Sequence, residues 1–144
     1  MSESNIKNTE KEIIDEFELF NDWIGKYEYI IELGKKLPLI DENLKNENYE
    51  VKGCQSKVWI NADYKDGYLF FKADSDALIT KGIISLLIRV LSGNKPDEIL
   101  NADMNFINEI GLKEHLSPNR ANGLNAMISK MKNFAMVYSN QNVN

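Results

Sequence analysis

The sequence has few residues that could bind a metal or form a covalent cross-link. Its 144 residues include one cysteine, Cys54, and one histidine, His115. A disulfide within the chain needs two thiols, and a cysteine-only zinc site or an iron–sulfur cluster held by a single chain needs more. We therefore predict no internal disulfide, no metal site and no cofactor belonging to this chain.

Long apolar runs and an excess of positive charge are also missing. The longest apolar stretch, residues 83–91, is interrupted by Ser85 and Arg89 and is far shorter than the roughly 20 residues of a membrane span. The first residues are polar and lack the apolar region of a secretory signal. With 17 basic and 22 acidic residues the net charge is −5, which disfavours nucleic acid as a partner. We expect a cytoplasmic protein that binds neither membranes nor nucleic acid.

The overall composition is typical of a globular protein. Hydrophobic residues make up 43% and charged residues 27% of the chain, and the length fits one domain. No internal repeat and no linker rich in Gly, Ser or Pro is present. We predict a single domain over residues 1–144, with a core at about 10–138, polar tails at both ends and a monomeric state.

The hydrophobic pattern of the first third predicts helices. Thr9 and Glu12 fit a capping box that would begin the first helix. Apolar residues then recur at spacings of three and four, which is typical of one buried helical face; they are Ile13, Phe17, Phe20, Ile24, Tyr27 and Ile31. Asn21-Asp22 could divide this run into two helices, and Gly34 would end it.

A strand pattern follows in the middle of the chain. Apolar and polar residues alternate over 58–63, Asp66-Gly67 favours a hairpin turn, and residues 68–73 would form the return strand. Residues 49–51 could add a short third strand.

Helical periodicity then returns for the rest of the chain. Asp74, Ser75 and Asp76 are N-cap candidates for a helix ending near Gly93, and short helices are predicted from Pro96 to Leu100 and around Phe106 to Gly111. Ser117-Pro118 would begin the last helix. Its buried face would contain Leu124, Met127, Ile128, Met131, Phe134 and Tyr138. Helices before and after a hairpin in the sequence indicate an α+β domain with helices packed on one face of a small sheet.

Cys54 stands on a predicted loop before the first clear strand. Its neighbours are polar or small: Lys52, Gly53, Gln55, Ser56 and Lys57. Nearby cations stabilise a thiolate, so the two lysines favour a reactive thiol. The alternative is a small buried apolar side chain, which is common for a free cysteine. The sequence alone leaves both open.

Three further polar residues have a functional and a structural interpretation. His115 could serve as a base for Cys54 in a thiol hydrolase or peroxidase, or it could be a structural or surface histidine. Arg120 falls on the first turn of the last helix, where the helix dipole disfavours a cation, so it either has an acidic partner or is solvated. Asp74 with Asp76 could suggest metal binding, although two acids at a helix start are more often caps.

Four segments of the chain together resemble one known family. Residues 53–59, Gly-Cys-Gln-Ser-Lys-Val-Trp, resemble the cysteine loop of the SufE-type sulfur acceptors, also called the Fe–S metabolism-associated domain. Three other segments agree in order and spacing: 29–34 followed by Leu37-Pro38, 74–77 followed by Ile79 and Lys81-Gly82, and 115–120 followed by Gly123-Leu124 and Met127. The resemblance covers about residues 10–136. Lys57 departs from it, because the family often has glutamine there.

The resemblance implies a fold and a function. The fold would be SufE-like, similar also to the scaffold proteins related to IscU, with a small antiparallel sheet of about three strands covered by N- and C-terminal helices. The protein would accept persulfide sulfur from a SufS-like cysteine desulfurase, which carries pyridoxal phosphate, and activate that enzyme. It would then pass the sulfur to a SufBCD-like iron–sulfur scaffold. It would be a carrier rather than an enzyme.

The resemblance also implies roles for individual residues. Cys54 would be the acceptor, and Gly53, Gln55 and Ser56 would shape its loop. Arg120 would contact the desulfurase, and Asp74 would belong to the same docking surface. The cluster-binding role of the IscU-related scaffolds is not implied, because those proteins have three cysteines.

Overall fold

Helices precede and follow a central β-hairpin along the chain, and they pack against one face of it. The computed structural model describes the backbone of residues 2–143 and the side chains of residues 5–139. The elements are α1 Ser2–Phe17, α2 Trp23–Gly34, β1 Val58–Lys65, β2 Tyr68–Ser75, α3 Leu78–Leu91, α4 Pro96–Asn101, α5 Phe106–Glu109 and α6 Pro118–Val143. This architecture confirms the predicted α+β class.

The first helix begins earlier than the capping box predicts. Helix α1 begins at Ser2 rather than after Thr9. Ile6 is only 3% exposed and lies two helical turns before Ile13, so it extends the buried face toward the N-terminus. The core therefore begins before residue 10, and the predicted N-terminal tail is helical from Ser2 onward.

The predicted break between the first two helices is confirmed. The Oδ1 atom of Asp22 accepts a hydrogen bond from the Gly25 N–H at 2.9 Å, which caps α2. Because the break changes the phase of the helical face, the prediction that Ile24 shares a buried face with Ile13 and Phe17 is wrong. Ile24 is 72% exposed.

The sheet has two strands among the described residues, rather than three. Strands β1 and β2 pair antiparallel from Val58–Ser75 to Lys65–Tyr68, and the turn at Asp66-Gly67 has positive φ angles of 54° and 89°, as a type I′ turn requires. Residues 49–51 add only an isolated bridge to β1. Its two hydrogen bonds join the Val51 N–H to the Val58 carbonyl and the Ile60 N–H to the Tyr49 carbonyl.

Helix α3 is not capped by the acidic segment that precedes it. Strand β2 extends to Ser75 and the N-cap of α3 is Ala77, so the prediction of a cap at 74–76 is wrong. Ser75 is buried opposite Val58 in the sheet, and this pairing keeps the chain extended past Asp74. Asp76 instead accepts a hydrogen bond from the Lys57 N–H at 3.1 Å.

Helices α2 and α3 pack with their backbones in close approach. A Cβ atom at Gly82 would lie 2.0 Å from the Ile30 carbonyl oxygen, so a side chain at this position cannot fit. The absence of a side chain offsets the poor helix propensity of glycine here. Behind this contact, α3 is buried on most of its surface and packs against the hairpin.

The C-terminal elements agree with their predicted starts. Helices α4 and α6 begin at Pro96 and Pro118, and the Ser117 Oγ accepts a hydrogen bond from the Arg120 N–H at 3.3 Å. Among the α6 side chains that the structure describes, the buried hydrophobic residues are Leu124, Met127, Met131 and Ala135, whereas the predicted Ile128, Phe134 and Tyr138 are half-buried. The helix continues to Val143, where the sequence predicted a polar tail, since no Gly or Pro interrupts residues 139–143. None of the helices in the described part of the chain is both long and apolar enough to cross a membrane.

Candidate functional site: the Cys54 loop

The Cys54 loop, residues 52–57, is fixed at both ends. The hydrogen bond from the Val51 N–H to the Val58 carbonyl, 2.8 Å long, closes its neck. Lys57 and Asp76 form a second, reciprocal tie: the Lys57 N–H donates to the Asp76 carboxylate at 3.1 Å, and the Asp76 N–H donates to the Lys57 carbonyl at 3.2 Å. The hairpin and the start of α3 therefore determine where the loop lies.

Cys54 rests against the first turns of α6. Its side chain is half-buried, and Sγ donates a weak hydrogen bond to the Gly123 carbonyl at 3.6 Å. A Cβ atom at Gly123 would lie 3.4 Å from Sγ, an ordinary contact, so the thiol packs directly against this turn of α6. Gly53 has a φ of +89°, which glycine adopts without the strain of other residues. The loop therefore bends at Gly53 and places the thiol on α6.

Cys54 lines a small polar cavity. The cavity has a volume of about 280 Å³ and is lined by Gly53, Cys54, Gln55, Asn119 and Asn122. Of the three residues that the resemblance expects to shape the loop, Gly53 and Gln55 line the cavity, whereas Ser56 is half-buried and does not. Their roles stay predictions. Asn119 and Asn122 were not predicted. No sequence signal connects them to a cysteine more than sixty residues away.

The charges around the loop do not activate the thiol. Burial raises the pKa of Cys54 above its ordinary value, and the nearby Glu50 carboxylate raises this pKa further. Lys52 and Lys57 both pair with Glu50, at 3.6 and 3.4 Å. The prediction that these lysines stabilise the thiolate is therefore wrong. Glu50 takes up both cations, and the resting thiol is protonated at neutral pH.

His115 lies in a different environment from the thiol. Its Nδ1 is 2.9 Å from the Gly111 carbonyl oxygen, so this nitrogen carries the proton and donates. The imidazole ring stacks on Trp23, with 4.2 Å between ring centroids and 13° between planes. His115 does not line the Cys54 cavity. The contacts of His115 agree with the interpretation that it is a structural residue. Among the side chains of residues 5–139, no group of three or more His, Cys, Asp or Glu could hold a metal ion.

The two predicted docking residues have different surroundings. Arg120 is exposed and its Nη1 donates to the Tyr27 hydroxyl at 3.1 Å. Asp74 is bound by Lys45 at 2.6 Å and Lys81 at 3.3 Å. Burial alone would raise the pKa of the Asp74 carboxyl, but these lysines and the Ser75 N–H hold it below its ordinary value. The docking roles of both residues stay predictions.

Comparison with known proteins identifies the family to which this arrangement belongs. Residues 11–135 match the family model described as SufE, Fe-S metabolism associated domain. The chain belongs to the SufE family. Membership places the protein in Fe–S metabolism.

Several SufE-like proteins are similar to the chain along most of its length. An uncharacterized SufE-like protein of Rhizobium meliloti is 40% identical over 129 residues, which cover 86% of this chain and 92% of that protein. A counterpart from Synechocystis is 37% identical, covering 88% of this chain and 79% of that protein. SufE-like protein 1 of Arabidopsis thaliana, named chloroplastic/mitochondrial, is 36% identical, with 88% and 34% covered. The cytoplasmic location expected from the sequence stays a prediction.

A solved structure has the same fold as this SufE-family chain. The solution structure of a hypothetical protein from Thermus thermophilus matches with a TM-score of 0.73 and 22% identity. The match covers 89% of this chain and 93% of the other. The SufE-like fold predicted from the resemblance is confirmed, with two strands in place of about three.

Proposed function

We propose that this chain accepts sulfur from a cysteine desulfurase on Cys54, activates that enzyme, and passes the sulfur to an iron–sulfur assembly scaffold. The family's place in Fe–S metabolism supports a role of this kind. The observation that carries the proposal is the position of the chain's one thiol, on a loop whose two ends are held by backbone hydrogen bonds and whose cysteine lines a cavity.

The transfer is an exchange between a thiol and a persulfide. The Cys54 sulfur attacks the outer sulfur of the desulfurase persulfide, and the S–S bond within that persulfide breaks. A new S–S bond forms on Cys54, and the proton of the Cys54 thiol goes to the departing desulfurase thiolate. Cys54 is oxidised to a persulfide and the desulfurase cysteine is reduced to a thiol, so no outside oxidant or reductant is needed.

The single thiol suits a carrier. A second cysteine in the same chain could attack the Cys54 persulfide and release the sulfur as sulfide while a disulfide forms. The sequence contains no second cysteine, so the persulfide cannot be lost by that route. The loop could also withdraw the persulfide from water between encounters with its partners.

The resting electrostatics suit a carrier that reacts only with its partner. Because burial and Glu50 keep the thiol protonated, the free protein is a poor nucleophile toward small oxidants at neutral pH. A desulfurase that draws the loop away from α6 would remove Cys54 from both influences. Reactivity would then appear in the complex, where the sulfur donor is.

The test is sulfur transfer followed by intact mass. The protein is incubated with cysteine and a pyridoxal-phosphate cysteine desulfurase from the same genome, and its mass is measured before and after reduction. We expect a gain of one sulfur atom that a thiol reductant removes, together with faster desulfurase turnover. The Cys54→Ser variant should gain no sulfur.

Two further outcomes separate the alternatives. No mass gain and unchanged desulfurase turnover would refute the proposal. If Cys54→Ser stimulates the desulfurase as well as the wild type, the chain is an adaptor that does not accept sulfur. His115→Gln should take up sulfur normally, because His115 is bound to Gly111 and Trp23. Turnover of a thiol-dependent reaction without any desulfurase, lost in His115→Gln, would instead indicate a thiol enzyme.

A further inference from the structure

The chain has two arginines, and they differ in whether a carboxylate neutralises their charge. Arg89 is neutralised: its Nη1 and Nη2 donate to both carboxylate oxygens of Glu16, at 2.8 and 2.6 Å. Arg120 has no carboxylate partner among the residues that the structure describes. Its guanidinium donates to the neutral hydroxyl of Tyr27 at 3.1 Å. This contact orients the side chain and leaves its charge uncompensated.

Helix α2 contacts both Arg120 and the segment that leads into α6. Trp23 and Tyr27 are four residues apart on α2 and therefore share one helical face. Trp23 stacks on His115, and Tyr27 binds Arg120. The first turns of α2 thus fix the segment 115–120, whose next-to-last residue, Asn119, lines the Cys54 cavity.

An exposed apolar side chain lies next to Trp23 and Tyr27 on α2. Ile24 is 72% exposed, and it is one helical turn before Tyr27, so the two are neighbours on the surface of α2. Arg120 follows Asn119, which lines the Cys54 cavity, and Arg120 in turn contacts Tyr27. Arg120, Tyr27 and Ile24 are therefore linked to the cavity through Asn119. In a chain with a net charge of −5, this surface presents an oriented, uncompensated cation next to an apolar group.

We propose that Ile24 and Tyr27 form the second half of the desulfurase docking surface: Tyr27 holds Arg120 ready for a carboxylate of the desulfurase, and Ile24 enters an apolar site beside that carboxylate. This inference rests on the proposed function, because it takes the partner at the Cys54 cavity to be the desulfurase. Continuity with that cavity and the charge of Arg120 determine the partner's chemistry. A neutral anchor suits this role, since a carboxylate anchor would already satisfy the arginine and reduce its attraction for another acid.

The role of Tyr27 is tested by two substitutions with opposite effects on the anchor. Tyr27→Phe removes only the hydroxyl and should weaken desulfurase binding about threefold to tenfold. Tyr27→Glu supplies an anchor that neutralises Arg120, and it should weaken binding more than Tyr27→Phe does. In a double-mutant cycle, Tyr27→Phe should have no further effect once Arg120 is alanine. The KM for the carrier in desulfurase turnover should rise while kcat stays unchanged.

The role of Ile24 is tested against an exposed apolar residue on another helix. Ile24→Asp should weaken desulfurase binding at least about tenfold, because the apolar site would have to accept a charge. Val137 is 54% exposed on α6 and does not line the Cys54 cavity, so Val137→Asp is the matched control and should bind like the wild type. Binding is measured by calorimetry with a Cys54→Ser chain, so that no sulfur is transferred, and thermal melts identify variants that fail to fold.

The outcomes separate this inference from the proposed function. Equal binding by wild type, Tyr27→Phe and Ile24→Asp, with normal sulfur transfer to Cys54, would overturn the docking inference and leave the carrier function standing. Weakened binding in these variants without sulfur on wild-type Cys54 would overturn the carrier function and leave the docking surface standing. Additive effects of Tyr27→Phe and Arg120→Ala would overturn the positioning role of Tyr27, and Tyr27→Glu binding as tightly as wild type would overturn the need for an uncompensated charge.

Discussion

Glu50 controls the Cys54 thiol through two effects that act in the same direction. Its carboxylate raises the pKa of Cys54, in addition to the larger effect of burial. It also engages Lys52 and Lys57, the cations that would otherwise favour the thiolate. Burial and one acid four residues before the cysteine therefore both favour the protonated thiol in the resting protein.

Replacing this acid should lower the pKa of the thiol. We expect Glu50→Gln to shift the pH midpoint of iodoacetamide alkylation downward, because the substitution removes a negative charge and releases two lysines. The chain has one thiol, so alkylation followed by intact mass reports Cys54 alone. Glu47→Gln is the matched control, since Glu47 is an exposed acid three residues before Glu50 and forms no ion pair with Lys52 or Lys57 among the described residues. An unchanged midpoint in Glu50→Gln, or an equal shift in Glu47→Gln, would contradict this account.

At the residue scale, the sequence identified the reactive group but not its surroundings. Cys54 can be found because it is the one thiol, between glycine and polar residues. The prediction that Lys52 and Lys57 favour the thiolate was wrong because both lysines pair with Glu50, and this ion pairing depends on how the loop folds back toward β1. Asn119, Asn122 and Tyr27 reach the site only through the tertiary packing of α6 and α2, which local spacing does not encode.

At the scale of elements, two helical glycines differ in whether the packing around them requires glycine. A Cβ at Gly82 would meet the Ile30 carbonyl at 2.0 Å, whereas a Cβ at Gly123 would meet the Cys54 Sγ at 3.4 Å, an ordinary contact. Gly82 therefore determines how closely α2 and α3 approach. Gly123 is under no such constraint, because a methyl group there would only contact the resting thiol.

Alanine at these two positions should have opposite effects on stability. We expect Gly82→Ala to lower the free energy of unfolding by at least about 2 kcal/mol, because the helices must separate to admit the methyl group. Gly123→Ala should raise it by up to about 1 kcal/mol, since alanine favours the helix and the site can accommodate it. Urea denaturation of both variants measures the difference. Equal destabilisation by both would show that helical context, rather than the contact with Ile30, decides the cost.

The elements that were predicted correctly carry local signals, and the wrong ones depend on distant contacts. Asp22, the Asp66-Gly67 turn and Ser117-Pro118 each act within a few residues, so capping and turn chemistry identify them. The early start of α1 depends on the burial of Ile6. The sequence prediction instead followed the capping signal at Thr9 and therefore placed the start too late. The third strand was predicted from its own residues, but a strand also needs a partner along its length, and residues 49–51 meet β1 at one bridge only.

At the scale of the whole molecule, one ion pair joins elements that are distant in sequence. Arg89 on α3 binds Glu16 on α1 through two hydrogen bonds, and the Tyr29 hydroxyl on α2 donates to the same carboxylate at 2.5 Å. Burial, together with this hydrogen bond, raises the pKa of Tyr29 to about 12, so the phenol keeps its proton. Three helices therefore meet at a single carboxylate.

This arrangement should make stability depend on acid in a predictable window. The hydrogen bonds from Arg89 lower the pKa of Glu16 below its ordinary value of 4.5, so folding favours the ionised form. The stabilisation is complete above pH 4.5 and is lost as the pH falls through the lower, folded-state pKa. Glu16→Gln should lower the free energy of unfolding by about 1–2 kcal/mol at pH 7, a modest value because the pair is partly exposed. This difference should shrink toward zero as the pH falls below that window.

Urea titrations of the wild type and Glu16→Gln between pH 7 and pH 3 measure this difference directly. Glu12→Gln is the matched control: Glu12 also approaches Arg89, at 3.5 Å, but its side chain is 66% exposed. We expect its substitution to cost less than about 0.5 kcal/mol at every pH. If Glu16→Gln were as destabilising at pH 3 as at pH 7, the shape of the carboxyl group would matter rather than its charge. The link between α1, α2 and α3 would then be one of packing and neutral hydrogen bonds, and the acid sensitivity of the fold would have to arise at another carboxylate with a lowered pKa, such as Asp74.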